Sequence, residues 1–374
     1  MQIPRMRECA GGRDGRHSRP DMRAPPVSLR WRCALAAVLL CVPALASVAP
    51  PDNRIPLAIV GDSDSHGYHD ERAFPHGSAD RGGRLRDTTY QWTEALVALR
   101  GDVLDLGVRE ATGTWGRMAR WLRSVGVDVR APRKVDHRYN FAVSGQGCDD
   151  LMDGPSRQVP QLIRLMNEDP ARWRRGVVVI RIGVNTFGKA AELDRLARDP
   201  RDPAVVRAID TCVAQIRSAV DAIATAHAGT RIVIVGIFDN RHWAAYLGRW
   251  QAPAEQANIS AGLDRFDQAL QRFAADRPRV AFFDDRAWFA SLWGGRDANG
   301  VPAYRTVSFG PLKVSNSSGD EPFHATLADG HAGTVWNVLW ARALIDLLNQ
   351  RFGLGVAPLT DAEMVSLLSR RFMP

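Results

Sequence analysis

An α/β domain, with a parallel sheet of five strands and helices on both faces, is the fold class predicted by three observations. Five apolar runs alternate along the chain with longer amphipathic stretches, which is the pattern of strand-helix-strand units. The runs are apolar at successive positions rather than alternate ones, as strands buried on both faces require. Ser63, Gly145 and Asn185 each fall just past the end of such a run, at the carboxyl edge where functional groups gather in parallel sheets.

The first predicted strand covers 53–60 and breaks off at Gly61-Asp62-Ser63. A strand that delivers a serine onto a turn is a place to look for a nucleophile. Gly61 permits an unusual turn, and the amides beyond it can point toward a developing negative charge. Residues 67–88, rich in Gly, Asp, Arg and His, read as a loop. Trp92, Leu96 and Leu99 share one helical face, so 90–99 is a helix that stops at Gly101. A second amphipathic helix is expected over 115–125.

The second strand is expected at 139–145, followed by the turn Gly145-Gln146-Gly147 and a helix over 159–166. The third strand, 177–183, ends in Val184-Asn185. A long helix over 204–226 leads into a fourth strand at 231–238, and a helix over 258–275 into the last at 279–284. Residues 286–325 read as a long connection rich in Gly, Asn, Ser and Pro. The closing helix spans 334–352, with Val335, Val338, Leu339, Leu344 and Leu347 available to a core. Thr360 can cap one more short helix. There is no internal repeat, and no low-complexity linker interrupts the chain after its amino-terminal segment.

The formal net charge of the 374 residues is +8, and of 49 basic residues only Lys134, Lys189 and Lys313 are lysines. Residues 1–49 carry eight arginines against three acids, so the remainder holds a net charge of only +3. It has no dense basic run with interleaved aromatics, which argues against a nucleic-acid partner.

Residues 33–46 form a short apolar core preceded by Arg30 and Arg32 and ending in small residues, the layout of a secretory signal peptide. Cleavage is expected after Ala46 or Ala49. The run is well short of the ~20 residues a membrane span needs, so no span is expected after its removal. The long polar segment before Met22 raises Met22 as an alternative start. Leu40 before Cys41 argues against a lipoprotein. Export would leave Cys148 and Cys212, either as one disulfide or as two separately buried thiols.

Four blocks, Gly61-Asp62-Ser63, Asn140-Phe141-Ala142-Val143-Ser144-Gly145, Gly183-Val184-Asn185 and Asp329-Gly330-His331, occur in the order found in the SGNH or GDSL hydrolases, and the chain resembles that family from Leu57 to about Phe352. The resemblance implies a three-layer α/β/α flavodoxin-like fold. It also implies a nucleophile Ser63, a base His331 oriented by Asp329, and an oxyanion hole from the Ser63 amide, the Gly145 amide and the Asn185 side chain. Such chemistry needs no cofactor and no metal: a serine hydroxyl is too weakly acidic to attack unaided, so a histidine takes its proton and returns it to the leaving alcohol. The family's usual spacing is Asp-x-x-His, whereas Asp329 lies one residue nearer to His331, which leaves Asp320 and Glu321 as alternative orienting acids.

The expected organisation is a signal peptide at 1–49, a hydrolase domain at 50–352 in which 67–133 and 286–325 line the cleft, and a helical tail at 353–374. Tyr68, Trp92 and Trp115 could offer aromatic surfaces to a substrate, although core or anchor roles suit each. The implied protein is a secreted or periplasmic serine ester hydrolase acting on an acetylated carbohydrate, a simple ester or a lipid ester. One alternative is a metal-dependent phosphoesterase, on the strength of Asp62, Asp64, His66 and Asp102-Val103-Leu104-Asp105, although the later ligand blocks of such enzymes are missing. The other is a non-hydrolysing carbohydrate-binding or acyl-transfer module.

Overall fold

The computed structural model describes residues 53–372. The expected signal peptide and its cleavage sites lie outside them, as does the choice of start codon. Strand β1 (Ile55–Gly61) is followed by α1 (Trp92–Arg100), β2 (Leu104–Asp105), β3 (Arg109–Thr112), α2 (Gly116–Ser124), β4 (Lys134–His137), α3 (Gln158–Met166) and α4 (Pro170–Trp173). Next come β5 (Val177–Arg181), α5 (Val184–Phe187), α6 (Ala190–Arg198), α7 (Pro203–Ala226), β6 (Arg231–Val235) and α8 (Pro253–Ala275). The chain then forms β7 (Val280–Phe283), α9 (Asp285–Trp293), β8 (Val307–Phe309), β9 (Leu312–Ser318), β10 (His324–Thr326), α10 (Thr334–Phe352) and α11 (Asp361–Phe372).

The central sheet runs β2-β1-β5-β6-β7, and every pair in it is parallel. Its longer strands are apolar along their middles because both faces are covered, with charged residues such as Arg181 and Arg231 only at their ends. In β1, Ala58 and Val60 enter one core, while Leu57 and Ile59 enter the other. The first core is closed by α3, α7 and α8 through residues such as Leu162, Ile216 and Phe266. The second is closed by α1, α9, α10 and α11 through Leu96, Phe289, Leu344 and Met364. This is the three-layer α/β/α arrangement with its five-stranded parallel sheet.

The second strand differs from expectation. Residues 139–143 do run beside β1: Ile59 N donates to Tyr139 O at 3.0 Å, Phe141 N to Ile59 O at 2.7 Å and Val143 N to Gly61 O at 3.1 Å. They make no regular ladder, because Gly61 N donates to Gln158 Oε1 at 2.7 Å rather than to Phe141 O, and on the edge facing away from β1 side chains take the main-chain bonds. Ala142 N donates to Asn140 Oδ1 at 3.0 Å, and Lys134 Nζ donates to Ala142 O. The fifth strand of the sheet is instead β2, whose two residues are too short to show any periodicity.

The stretch 67–133 supplies that edge strand together with α1, whose Trp92 ring lies 4.7 Å from Trp340 of α10. The connection expected over 286–325 is structured, carrying α9 and most of a small sheet of order β10-β9-β8. Thr360 caps α11, accepting from Glu363 N at 3.2 Å. That helix buries Met364 and Leu368 in the second core, and Glu363 receives Arg100 at 2.8 Å. Cys148 and Cys212 form a disulfide with Cα atoms 5.1 Å apart, which ties the turn after Gly145 to α7.

Candidate active site

Ser63 sits two residues beyond β1 on a turn that closes tightly. Gly61 is needed there because a Cβ would stand 2.1 Å from Arg181 O on the neighbouring strand. Gln158 grips the same residue from α3, accepting from Gly61 N at 2.7 Å and donating to Gly61 O at 2.8 Å. Asp62 O then accepts from Ser65 N and His66 N at 3.2 and 3.1 Å, and Asp62 Oδ1 accepts from Asp64 N at 3.0 Å. Burial, assisted by the charge of Asp64, pushes the Asp62 carboxyl up to about 8. Beneath the turn, the buried Arg181 donates to Asp64 O at 3.1 Å and to Asp285 at 2.9 Å, and lies 4.5 Å from the Trp340 ring.

Asn185 stands in the first turn of α5, which follows β5 after the two residues Ile182 and Gly183. Its Nδ2 donates to Gln146 O at 3.0 Å, and Thr186 Oγ1 beside it accepts from Cys148 N at 3.0 Å. The pair therefore fixes the backbone just past Gly145. At Gly145 φ is +83° with open space where a Cβ would stand, so glycine is required there by conformation rather than by crowding.

His66, raised by the sequence only as a metal-ligand candidate, is 2% exposed and supports this same turn. Ser144 N donates to His66 Nδ1 at 3.1 Å, so the other ring nitrogen carries the proton and donates to Asp70 Oδ2 at 2.8 Å. Burial, and then the Lys134 charge, lower the affinity of this imidazole for a second proton. Asp102 and Asp105 gather no metal partners: Asp105 faces Arg54 at 3.3 Å and Arg172. Among the described residues no group of three acids, histidines or cysteines is close enough to hold an ion.

His331 lies on the loop between β10 and α10. Leu327 N donates to His331 O at 2.7 Å, and His331 N donates to Asp329 Oδ1 at 3.0 Å, closing a turn over Gly330. A Cβ on Gly330 would collide with the Trp243 ring at 1.9 Å. Of the three acids left open by the sequence, Asp329 is the one that meets the imidazole, with Oδ1 3.2 Å from His331 Nδ1. Asp320 accepts from Ala328 N at 3.1 Å, and Glu321 faces Arg84 and His324. The shortened spacing is thus absorbed by the turn.

The sequence reading missed Arg81. Its Nη1 donates to Asp329 Oδ2 and lies 2.6 Å from His331 Nδ1, its backbone N donates to Asp329 Oδ2 at 2.9 Å, and its Nη2 donates to Ser144 Oγ at 3.2 Å. The guanidinium stacks 4.1 Å from the Phe74 ring and is buried. Burial works to raise the Asp329 carboxyl, but the bond and charge of His331, with Arg81, outweigh it and hold the group well below the usual carboxylate range. Nothing in the run Asp80-Arg81-Gly82 signals this contact across the chain.

Ser63, Asn185 and His331 line one cavity of about 400 Å³, with Arg181 at its floor. Its walls are aromatic, from Phe238, Trp243, Tyr246 and Trp336, and Lys189 brings one cation. Gly145 is not part of the lining. Tyr68 and Trp92 are buried in the core, whereas Trp115 is exposed and lies outside the cavity.

A serine at a strand end, an asparagine on the next strand's turn and a histidine-aspartate pair, gathered over a parallel sheet, mark the class of ester hydrolases. The chain belongs to the GDSL-like lipase/acylhydrolase family, whose model matches residues 57–286 and so includes Ser63, Gly145 and Asn185. Similar solved structures include an extracellular lipase from Streptomyces rimosus, at 18% identity over 77% of this chain and 99% of that one, with a TM-score of 0.35. A phospholipase A1 from Streptomyces albidoflavus aligns at 15% identity over 77% and 99%, with a TM-score of 0.34. A Clostridium thermocellum family 3 carbohydrate esterase aligns at 13% identity over 81% and 100%, also at 0.34. No curated protein matches the chain.

Proposed function

We propose that the protein hydrolyses a carboxylic ester through an acyl-serine intermediate formed on Ser63. The single observation that carries this reading is the shared cavity of Ser63, Asn185 and His331, with Asp329 Oδ1 3.2 Å from His331 Nδ1. Ser63 Oγ attacks the carbonyl carbon while its proton passes to His331 Nε2. The oxyanion is met by the amides of Ser63 and Gly145 and by the Asn185 side chain, whose NH2 has a second hydrogen beyond the one given to Gln146. Collapse expels the alcohol, which takes the proton back from His331, and water repeats the sequence on the acyl group.

For His331 Nε2 to accept, Nδ1 must carry the proton and donate it to Asp329. Arg81, a donor only, faces the same Nδ1, so in this mechanism its guanidinium bonds to Asp329 and Ser144 and leaves Nδ1 to the carboxylate. The substrate is an acetylated carbohydrate, a simple ester or a lipid ester, since aromatic walls suit either a sugar face or an acyl chain. The enzyme acts after export; the Cys148–Cys212 disulfide and the apolar segment 33–46 support an oxidising compartment. Incubation with a panel of chromogenic short-chain esters beside Ser63→Ala tests the core of the reading. Wild-type turnover with loss of at least about 10³-fold in the variant is expected; equal rates would dismiss Ser63 as nucleophile.

A further inference from the structure

The described residues expose eight large hydrophobic side chains, and six of them, Val108, Trp115, Met118, Trp121, Val125 and Val127, lie within one short stretch of chain around α2. Trp115 is 68% and Trp121 60% exposed, whereas six other tryptophans are buried in the cores. Helix α2 touches the domain through Ala119, its one buried residue. At 100° per residue, Trp115, Met118, Trp121 and Val125 fall within an arc of roughly 120°, whose Trp115 edge lies about 40° from the buried Ala119. Arg117 lies about 40° beyond the Trp121 edge of that arc and Arg120 about 60° further round, both exposed, with no acid anywhere in Gly116–Ser124. No ion pair to either arginine occurs among the described residues, while Arg123, nearer the domain, is engaged by Asp128 at 3.3 Å.

We infer that this face docks on an anionic phospholipid surface. Tryptophan, with an apolar body and a polar indole N–H, settles at the boundary of headgroup and acyl chain. Arginines beside it then reach the phosphates, which is the composition of an interfacial amphipathic helix. The charge selects the occupant. A second copy of this chain would set Arg117 and Arg120 of one protomer against the same residues of the other, whereas a lipid phosphate layer neutralises both. The docking is independent of ester hydrolysis, because none of these side chains lines the cavity that holds Ser63.

Co-sedimentation of the purified full chain with vesicles of phosphatidylcholine, with and without about a third phosphatidylglycerol, tests the inference. Binding is expected to the phosphatidylglycerol vesicles, weaker by tenfold or more in Trp115→Ala/Trp121→Ala and in Arg117→Glu/Arg120→Glu, and reduced by salt. Both double variants should melt as the wild type does and keep its rate on a soluble short-chain ester. Absence of binding to phosphatidylglycerol vesicles, or undiminished binding by both variants, would overturn it. So would a wild-type dimer in solution that the tryptophan variant disperses, since the face would then be an interface between copies.

Discussion

The histidine's two neighbours impose opposite demands on one nitrogen. Asp329 can only accept and Arg81 can only donate, so Nδ1 of His331 carries a proton in one arrangement and lacks it in the other. Only the first leaves Nε2 free to take the proton of Ser63, as the proposed mechanism requires. Asp329→Asn replaces the acceptor-only carboxylate by an amide that can donate to Nδ1 and favour the wrong tautomer, and a fall in kcat of about 10³- to 10⁴-fold is expected, with Asp320→Asn near wild type. If Asp320→Asn proves the damaging change in steady-state assays, the orienting acid is misassigned. Arg81 holds Asp329 through its backbone as well as its side chain, and reaches Ser144 beside the Gly145 turn. Arg81→Lys keeps the charge but loses the planar fork, and should lower kcat by about 10-fold or more with little change in KM. A kcat equal to wild type would show that the fork does not position the pair.

At the scale of elements, the strand ends were legible because their chemistry is local. Continuous apolar runs announced β1, β5, β6 and β7, and Gly61, Asp62 and Ser63 announced the turn. The closing helix followed from the spacing of Val335, Val338 and Leu339, and its bounds, Thr334–Phe352, agree with expectation. Strand β2 was hidden because two residues have no period, and 139–145 looked like a strand because its apolar run does lie against β1 while Gln158 takes the Gly61 amide that a regular ladder needs. Arg81, His66 and Ser144 were illegible for a different reason: each acts through a partner far along the chain or outside any motif. The disulfide belongs to this scale too, since it fastens the turn after Gly145 to α7. Cys148→Ser/Cys212→Ser should cost about 2–4 kcal/mol of stability, read as a lower denaturant midpoint. An unchanged midpoint would mean that packing alone secures the turn.

Across the whole molecule, buried acids give the fold a pH dependence of mixed sign. Asp136 is drawn down to about 2: burial opposes this, but Lys134 at 2.9 Å and His66 prevail. Its stabilising contribution is therefore complete above pH 4 and is lost as pH falls through 2. Asp62 behaves in the opposite way. With a folded value near 8, it keeps its proton in the native state across a range where the unfolded chain has released it, so its contribution is greatest below pH 4 and declines as pH rises toward 8. Asp62→Asn keeps the acceptor for Asp64 N and removes that slope. Melting temperatures of the two proteins are expected to diverge in favour of the variant between pH 4 and 8; a constant difference would show that Asp62 is not held protonated.

Ala332, on the wall of the cleft, is held from a distant part of the chain: Tyr68, near Ser63, donates to Ala332 O at 2.9 Å across 264 residues, and Asn337 steadies the same carbonyl at 3.1 Å. During synthesis, then, a nascent polypeptide displays its serine long before the imidazole emerges from the ribosome. Any product that terminates before residue 331 lacks the base proposed for Ser63.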